Sequence, residues 1–264
     1  MDLWQSIALG VLQGVSEFIP ISSSGHLVVG RAIMGIGEIP LLYDVILHIA
    51  TLIVVIVFFR VRIIRMLSAL VRWVMRKSTD DDATELRLSV LVVIATIITV
   101  VIGLAIRQLD LHLYPTIVSG AFLFTSVLLI ASHFVGGTVD YSSIGTRHAV
   151  IVGAMQGISV IPGVSRSGST IFAALASGIS REKAGEFSFL LSIPAILGAL
   201  VLELRDFGDL AMVLSPTALV TGFLASLVFG FLSLSLLVRL IRGGKLWLFS
   251  IYLIPLGIWG LFFL

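Results

Sequence analysis

Residues 13–26 read QGVSEFIPISSSGH, a polar stretch near the start of a chain that is otherwise rich in apolar residues. It holds one carboxylate, Glu17, then Pro20, three consecutive serines at 22–24 and one imidazole, His26. Proline interrupts a helix because it lacks a backbone N–H and its ring clashes with the preceding turn. The stretch therefore predicts a helix break at which polar side chains collect.

The composition places this break inside a membrane protein. The 264 residues are 58% hydrophobic and only 12% charged, with a mean hydropathy of +1.14, whereas soluble domains are about a quarter charged. We therefore expect one all-α integral membrane domain over residues 1–264. The chain has no cysteine, which excludes disulfides, thiolate metal sites and a cysteine nucleophile. Its net charge of +2 does not suggest nucleic-acid binding.

The apolar segments fall into two length classes. A spanning helix needs about 20 apolar residues, and six segments reach that length: about 41–60, 86–106, 115–135, 186–205, 217–239 and 246–263. Four shorter segments form two pairs around Pro/Gly/Ser-rich turns: about 3–13 with 22–35, and 147–160 with 168–179. Irregular backbone at membrane depth survives only where protein or a wet cavity surrounds it. The pairs therefore predict two re-entrant hairpins.

The basic residues predict the orientation. Arginine and lysine cluster over 60–87 and again over 239–245, between the last two spans. Such clusters face the cytoplasm, so six spans place both chain termini outside. The acidic run Asp80-Asp81-Asp82 lies in the first cluster; it could bind a metal, but a solvated loop is the favoured interpretation.

The opening stretch recurs in the second half of the chain. The sequence GVLQGVSEFIPISSSG from Gly10 aligns without gaps with GAMQGISVIPGVSRSG from Gly153. This predicts a duplication with repeats over 1–135 and 136–264. Three predicted spans separate the copies, so the second copy is inverted, and broken helices of inverted repeats meet near the membrane midplane.

The two copies differ at the positions that would give each of them a different catalytic role. Glu17 aligns with Val160, and His26 aligns with Ser169. Ser23 aligns with Arg166. The first copy thus carries acid, base and nucleophile types, while the second carries a fixed cation. Arginine binds phosphate oxygens bidentately, and helix N-termini attract anions, so the set favours phosphoryl chemistry.

Several residues have a structural alternative. The pairs Gly10/Gly14 and Gly153/Gly157 are typical of close helix packing. A charge at membrane depth costs about 2.5–3.5 kcal/mol on insertion scales, so Glu17 is interpreted as functional. The same argument applies to Arg166. Asp44 and His48 share a helix face at i,i+4 and either extend the site or satisfy each other. Glu182 fits a helix start, and Glu186 is left undecided.

The motifs resemble those of the undecaprenyl-diphosphate phosphatase family, also called the bacitracin-resistance protein family. The first is Gln13-x-x-x-Glu17 running into PISSSGH at 20–26, and the second is PGVSRSGST at 162–170. The stretch FSFLLSIPA at 187–195 also looks like the family. The resemblance covers the whole chain.

The resemblance implies an enzyme of the bacterial inner membrane, with its active site facing the periplasm, that converts undecaprenyl diphosphate to undecaprenyl phosphate. It implies a divalent cation, Mg²⁺ or Ca²⁺. Carried onto this sequence, the catalytic positions are Glu17, Ser23, His26 and Arg166. The expected substrate-binding positions are Gln13, Ser22, Ser24, Gly25, Ser165, Ser167, Gly168 and Thr170. Metal ligation would fall to Glu17 and Gln13, but many relatives have Glu at position 13, so Gln13 leaves one carboxylate fewer.

The residues leave several alternatives open. In one mechanism Ser23 attacks the terminal phosphorus while His26 or Glu17 accepts its proton; in another, His26 is the nucleophile. The alternative function is a transporter or flippase for a phosphorylated lipid or anion, since inverted repeats with broken helices are common in carriers. The oligomeric state is open as well, a homodimer included.

Overall fold

The structure, a computed structural model, describes residues 1–36, 41–109, 111, 114–203 and 215–263. Within these residues the chain is all-α, as predicted from its composition. The helices are α1 (Leu3–Phe18), α2 (Ser23–Ile33), α3 (Leu41–Phe58), α4 (Arg60–Val74), α5 (Ala83–Arg107), α6 (Pro115–Phe134), α7 (Thr146–Ile158), α8 (Arg166–Ala176), α9 (Arg181–Glu203), α10 (Pro216–Arg242) and α11 (Ser250–Phe263).

Several of these helices are suited to a membrane. Four described helices, α5, α6, α9 and α10, are long and apolar enough to cross one. The pair α3 and α4 together would make a fifth, although the chain bends by 79° between them, and Leu246–Phe262 is a shorter apolar segment. The chain is therefore a multi-pass membrane protein, while the arrangement of six spans and two hairpins stays a prediction. The end of the span predicted at 186–205 lies outside the described residues.

Helix α4 occupies a segment that the basic residues had marked as a loop. Apolar side chains spaced three and four residues apart, such as Ile64, Leu67 and Val71, are exposed along one side of it. Ala69, on another side, is buried. An exposed apolar stripe bordered by arginines is typical of a helix lying in a membrane interface. The sequence analysis did not predict this helix, because the arginines lower the hydropathy of an amphipathic segment.

The acidic run before α5 is only partly a solvated loop. It forms a short 3-10 helix, Asp80–Asp82, in which Asp80 and Asp81 are exposed. The side chain of Asp82 is buried and forms an ion pair with Arg72 of α4. The interpretation as a solvated run is therefore wrong for Asp82, whose carboxylate joins α4 to the start of α5.

The repeated glycines are packing positions, as one of the two interpretations proposed. Helix α1 packs closely along α10, and α7 packs closely along α5. A Cβ atom on Gly10 would lie 2.3 Å from the carbonyl oxygen of Gly222. One on Gly153 would lie 2.5 Å from that of Ala95. Each glycine therefore lets the backbone of a short helix pack directly against the backbone of a long helix.

Both predicted helix breaks are present, with shifted boundaries. Helix α1 continues to Phe18, so Glu17 lies in its last turn and not in the loop after it. The motif SSGH forms the first turn of α2, and RSGS forms the first turn of α8. The polar motifs therefore lie within the helices and do not precede them. Glu17 and the serines face each other across a turn of only four residues, 19–22.

Candidate active site

Glu17 is the centre of a polar cluster inside the protein. Its side chain is 5% exposed, which leaves almost no solvent around the carboxylate. The hydroxyl of Ser23 donates to Oε2 of Glu17 at 2.7 Å, and Nε2 of Gln13 donates to the same atom at 3.2 Å. Gln13 lies one turn before Glu17 on α1, and the short turn between α1 and α2 brings Ser23 to the same carboxylate.

The second turn supplies the cation for this carboxylate. Nη2 of Arg166 donates to Oε1 of Glu17. Nη1 of Arg166 is buried, and among the described residues it has no hydrogen-bond partner. One side of the guanidinium is therefore held by Glu17, while the other still has an N–H to donate.

Further contacts hold the two turns together. The hydroxyl of Ser167 donates to the carbonyl oxygen of Phe18 at 3.0 Å. A Cβ atom on Gly168 would lie 3.1 Å from the Cβ of Pro20, a tight contact that glycine avoids at this close approach of the turns. Residues 149 positions apart in the chain thus form one site. The structure therefore brings together the two polar turns, as the repeat predicted.

The other predicted residues of the second turn support its backbone. The hydroxyl of Ser165 accepts from the backbone N–H of Gly168 at 3.1 Å, which caps α8. Thr170 is buried and its hydroxyl bonds to that of Ser188 on α9. These contacts fix Arg166 at the start of α8 and place Ser165 and Thr170 behind it.

The first turn has a different backbone. Ser22 has φ 72° and ψ 98°, a region that non-glycine residues rarely adopt. It makes no side-chain cap to α2, and its hydroxyl lies 3.4 Å from that of Ser24. Ser24 is exposed, whereas Gly25 is buried against Phe122. The strained turn directs Ser23 toward Glu17.

His26 lies at the edge of the site, and both of its ring nitrogens bond to groups other than the Ser23 hydroxyl. Its Nδ1 is 2.8 Å from the carbonyl oxygen of Ser22, and its Nε2 is 2.9 Å from the hydroxyl of Tyr252 on α11. Of the two residues predicted to accept the Ser23 proton, only Glu17 has a supporting contact, its hydrogen bond with the Ser23 hydroxyl. Sequence reasoning missed Tyr252, because a tyrosine in an apolar segment is typical of a membrane interface.

His48 joins the site, which the i,i+4 spacing with Asp44 had left open. Nε2 of His48 is 3.5 Å from Oε2 of Glu17, and its Nδ1 is 2.7 Å from the carbonyl oxygen of Asp44. Asp44 itself forms an ion pair with Arg31 and does not contact the Glu17 carboxylate. The i,i+4 spacing thus indicated that Asp44 and His48 lie together. Only the tertiary fold shows that His48, and not Asp44, extends the site.

Gln13 and Glu17 could supply only a small part of the coordination shell of a divalent cation. Oε1 of Gln13 is buried without a hydrogen-bond partner among the described residues, which makes it an available oxygen ligand. Both oxygens of Glu17 already have partners. In the described part of the chain, no group of three or more His, Asp or Glu side chains could hold a metal ion. The residues could therefore supply one shared carboxylate and one amide oxygen, and substrate phosphates would have to provide further ligands, as they commonly do for Mg²⁺.

A second charged cluster lies apart from the site and involves Glu186, which had been left undecided. Arg62 donates to Glu186 at 2.7 Å and to Glu85 at 2.5 Å, and Lys183 lies 3.7 Å from Glu186. Both cations lie over the ring of Tyr141, and burial raises the pKa of the Tyr141 hydroxyl. The charges balance, so this cluster is interpreted as structural. Glu182 pairs with Arg242 at the exposed start of α9.

Comparison with known proteins identifies similar chains over nearly the whole length. The family model described as bacitracin resistance protein BacA matches residues 6–259. An undecaprenyl-diphosphatase from Treponema denticola is 44% identical over 98% of this chain and 96% of its own. Proteins of the same name from Borrelia recurrentis and Methanosphaera stadtmanae are 38% and 37% identical, over 96% and 98% of this chain and 96% of each relative.

Proposed function

The chain belongs to the bacitracin resistance protein BacA family, and we propose that it is an undecaprenyl-diphosphatase. It hydrolyses undecaprenyl diphosphate to undecaprenyl phosphate, the carrier of cell-wall precursors, and inorganic phosphate. The observation that carries the proposal is Glu17, whose carboxylate contacts the hydroxyl of Ser23 and the guanidinium of Arg166. A base, a nucleophile and a phosphate-binding cation from the two turns therefore meet at one point.

The substrate binds with its tail in the bilayer and its diphosphate between the turns. Arg166 donates the unused N–H of Nη1 to a phosphoryl oxygen, since that atom is buried and has no other acceptor among the described residues. The N-terminus of α2 starts at Ser23 without a side-chain cap, and helix N-termini bind phosphate through their amides and their dipole. These donors stabilise the charge on the phosphoryl oxygens.

Ser23 is the nucleophile in this proposal. Its Oγ attacks the terminal phosphorus, the bond to the bridging oxygen breaks, and the hydroxyl proton passes through Glu17 to the departing undecaprenyl phosphate. Water then attacks the phosphoserine, the P–Oγ bond breaks, and Glu17 returns a water proton to Oγ. The contact of 2.7 Å between Ser23 and Glu17 favours this route, because Nε2 of His26 is engaged by Tyr252. Ser23→Ala with unchanged turnover would leave His26 as the nucleophile.

A divalent cation, Mg²⁺ or Ca²⁺, is a further part of the proposal. Glu17 and Oε1 of Gln13 would hold it together with phosphate oxygens. When bound, it neutralises part of the diphosphate charge. Because Gln13 is a neutral ligand, we expect weak binding of the cation by the free protein and stronger binding with substrate.

We also propose a topology for the protein in the bacterial inner membrane. Six spans and two re-entrant hairpins form an inverted repeat of residues 1–135 and 136–264, and the site opens to the periplasm. The matching contacts of α1 with α10 and of α7 with α5 support the repeat. The basic residues around α4 and at the end of α10 support the cytoplasmic placement of those segments.

Phosphate release from undecaprenyl diphosphate by the purified protein tests the function. Wild type and the matched control Glu182→Gln, in an exposed ion pair, are expected to release phosphate at the same rate. Glu17→Gln is expected to lower release on the order of 10²–10⁴-fold, as for loss of a general base, and EDTA is expected to lower release by wild type. Absence of release by folded wild type would contradict the proposal, and flux into proteoliposomes would then test the transporter alternative.

A further inference from the structure

Tyr252 connects the last helix to the candidate site. Its side chain lies on α11 and is half exposed, but its hydroxyl points inward to within 2.9 Å of Nε2 of His26. The two rings lie 5.6 Å apart, and Phe122 also packs edge-on against the imidazole, at 5.8 Å. Such a side chain has an apolar body toward lipid and a polar tip toward a partner.

The contacts of His26 determine which of its nitrogens carries the proton. Nδ1 lies 2.8 Å from the carbonyl oxygen of Ser22, which can only accept a hydrogen bond, so Nδ1 carries the hydrogen. In a neutral ring the lone pair is then on Nε2, which accepts from the hydroxyl of Tyr252. The carbonyl belongs to Ser22, the residue with the strained backbone. Turn, imidazole and α11 thus form one hydrogen-bonded chain.

We propose that Tyr252 is a positioning residue for His26: the Ser22 carbonyl fixes the Nδ1–H tautomer, and the Tyr252 hydroxyl donates to Nε2 and holds the imidazole at the edge of the site. The inference rests on the proposed phosphatase only for its effect on turnover. Its structural content, the Tyr252–His26 hydrogen bond and the tautomer, holds whatever the protein hydrolyses. The chain runs from Tyr252 through His26 to the carbonyl of Ser22, next to the nucleophile Ser23. Loss of the Tyr252 hydroxyl therefore loosens the turn that holds Ser23, although His26 does not accept its proton.

Steady-state kinetics of Tyr252→Phe test the effect on turnover. This change keeps the ring and its packing but removes the hydroxyl, and the matched control is Tyr114→Phe, at an exposed tyrosine before α6. We expect kcat to fall about tenfold, equivalent to about 1.4 kcal/mol, with KM within about twofold and with unchanged thermal unfolding. A purely structural tyrosine would instead lower the unfolding temperature without a selective fall in kcat. Wild-type kcat in Tyr252→Phe would overturn the proposal.

A measurement on the wild-type protein keeps the proposal testable if that variant does not fold. Histidine-selective ¹⁵N labelling, with the resonances of His26 assigned through His26→Gln, reports the tautomer by NMR. The expected result is a protonated Nδ1 and a hydrogen-bonded, unprotonated Nε2. A neutral ring protonated at Nε2 would overturn the proposal. Since this result does not depend on phosphate release, failure of the proposed function and failure of this inference are distinguishable.

Discussion

The two repeated turns start from similar sequences and differ in backbone geometry. In the second turn, Ser165 has an ordinary extended φ of −73° and caps α8 by accepting from Gly168. In the first, the aligned residue Ser22 has φ 72° and makes no side-chain cap to α2. A non-glycine residue in such a region costs about 1–3 kcal/mol and persists where the surroundings enforce it. The second turn is therefore a stable support, and the first stores strain.

This difference matches the division of chemistry between the turns. The supported turn holds Arg166, whose charge must be fixed in place to stabilise phosphoryl oxygens. The strained turn holds Ser23 against Glu17 and leaves the N-terminus of α2 without a side-chain cap. In the proposed function, the two similar segments thus serve as a rigid cation holder and a reactive turn, a contrast that substitutions can test.

Among the variants that test the contrast between the turns, Arg166→Lys is expected to have the largest effect. Lysine keeps the charge but loses the planar fork that contacts Glu17 and phosphate together. We expect phosphate release to fall on the order of 10²–10³-fold, as for loss of one preorganised transition-state donor. The matched control Arg242→Lys lies in an exposed ion pair and should retain wild-type turnover. Near-wild-type activity of Arg166→Lys would show that the second turn contributes only charge.

The next effect concerns the packing that brings the turns together. Gly10→Ala and Gly153→Ala each place a methyl group within 2.5 Å of a backbone oxygen. Overpacking of this kind costs about 1–3 kcal/mol, so both variants should unfold at lower denaturant concentration in detergent. Gly120→Ala, with open space at its Cβ position, is the control. If only one of these two variants unfolded like wild type, the packing in the two halves of the chain would not be equivalent.

A moderate effect is expected from His48→Gln. Glutamine keeps a polar side chain near Glu17 but removes the imidazole whose Nε2 lies 3.5 Å from the carboxylate. Turnover should fall roughly tenfold, the equivalent of about 1.4 kcal/mol, with unchanged unfolding. Unaltered kinetics in the phosphate-release assay would place His48 outside the machinery.

The smallest effects are expected in stability, and they have opposite signs in the two turns. Ser165→Ala removes an N-cap and should destabilise the protein by about 1 kcal/mol. Ser22→Gly relieves the positive φ and should stabilise it by up to about 1 kcal/mol, while turnover falls because Ser23 is held less firmly. Thermal unfolding and phosphate release measured on the same preparations check both. Destabilisation by Ser22→Gly would show that its backbone is not strained.

The sequence predicted the meeting of the two turns but not all of the site. Glu17 and Arg166 were identifiable because charges in apolar surroundings are costly and because the repeat aligns their turns. The role of His48 depended on which face of α3 meets α1, which local spacing does not determine. Tyr252 gave no signal, since aromatic residues at span ends are common. Helix α4 was missed because its arginines mask an apolar stripe.

A double-mutant cycle on Glu17 and Arg166 tests the central claim, that the two turns form one catalytic site. Phosphate release from undecaprenyl diphosphate would be measured for wild type, Glu17→Gln, Arg166→Gln and the double variant, with folding checked for each. Residues that act as a unit are strongly non-additive, so the double variant should be about as slow as the slower single variant. Two independent effects that multiply in the double variant would contradict the account.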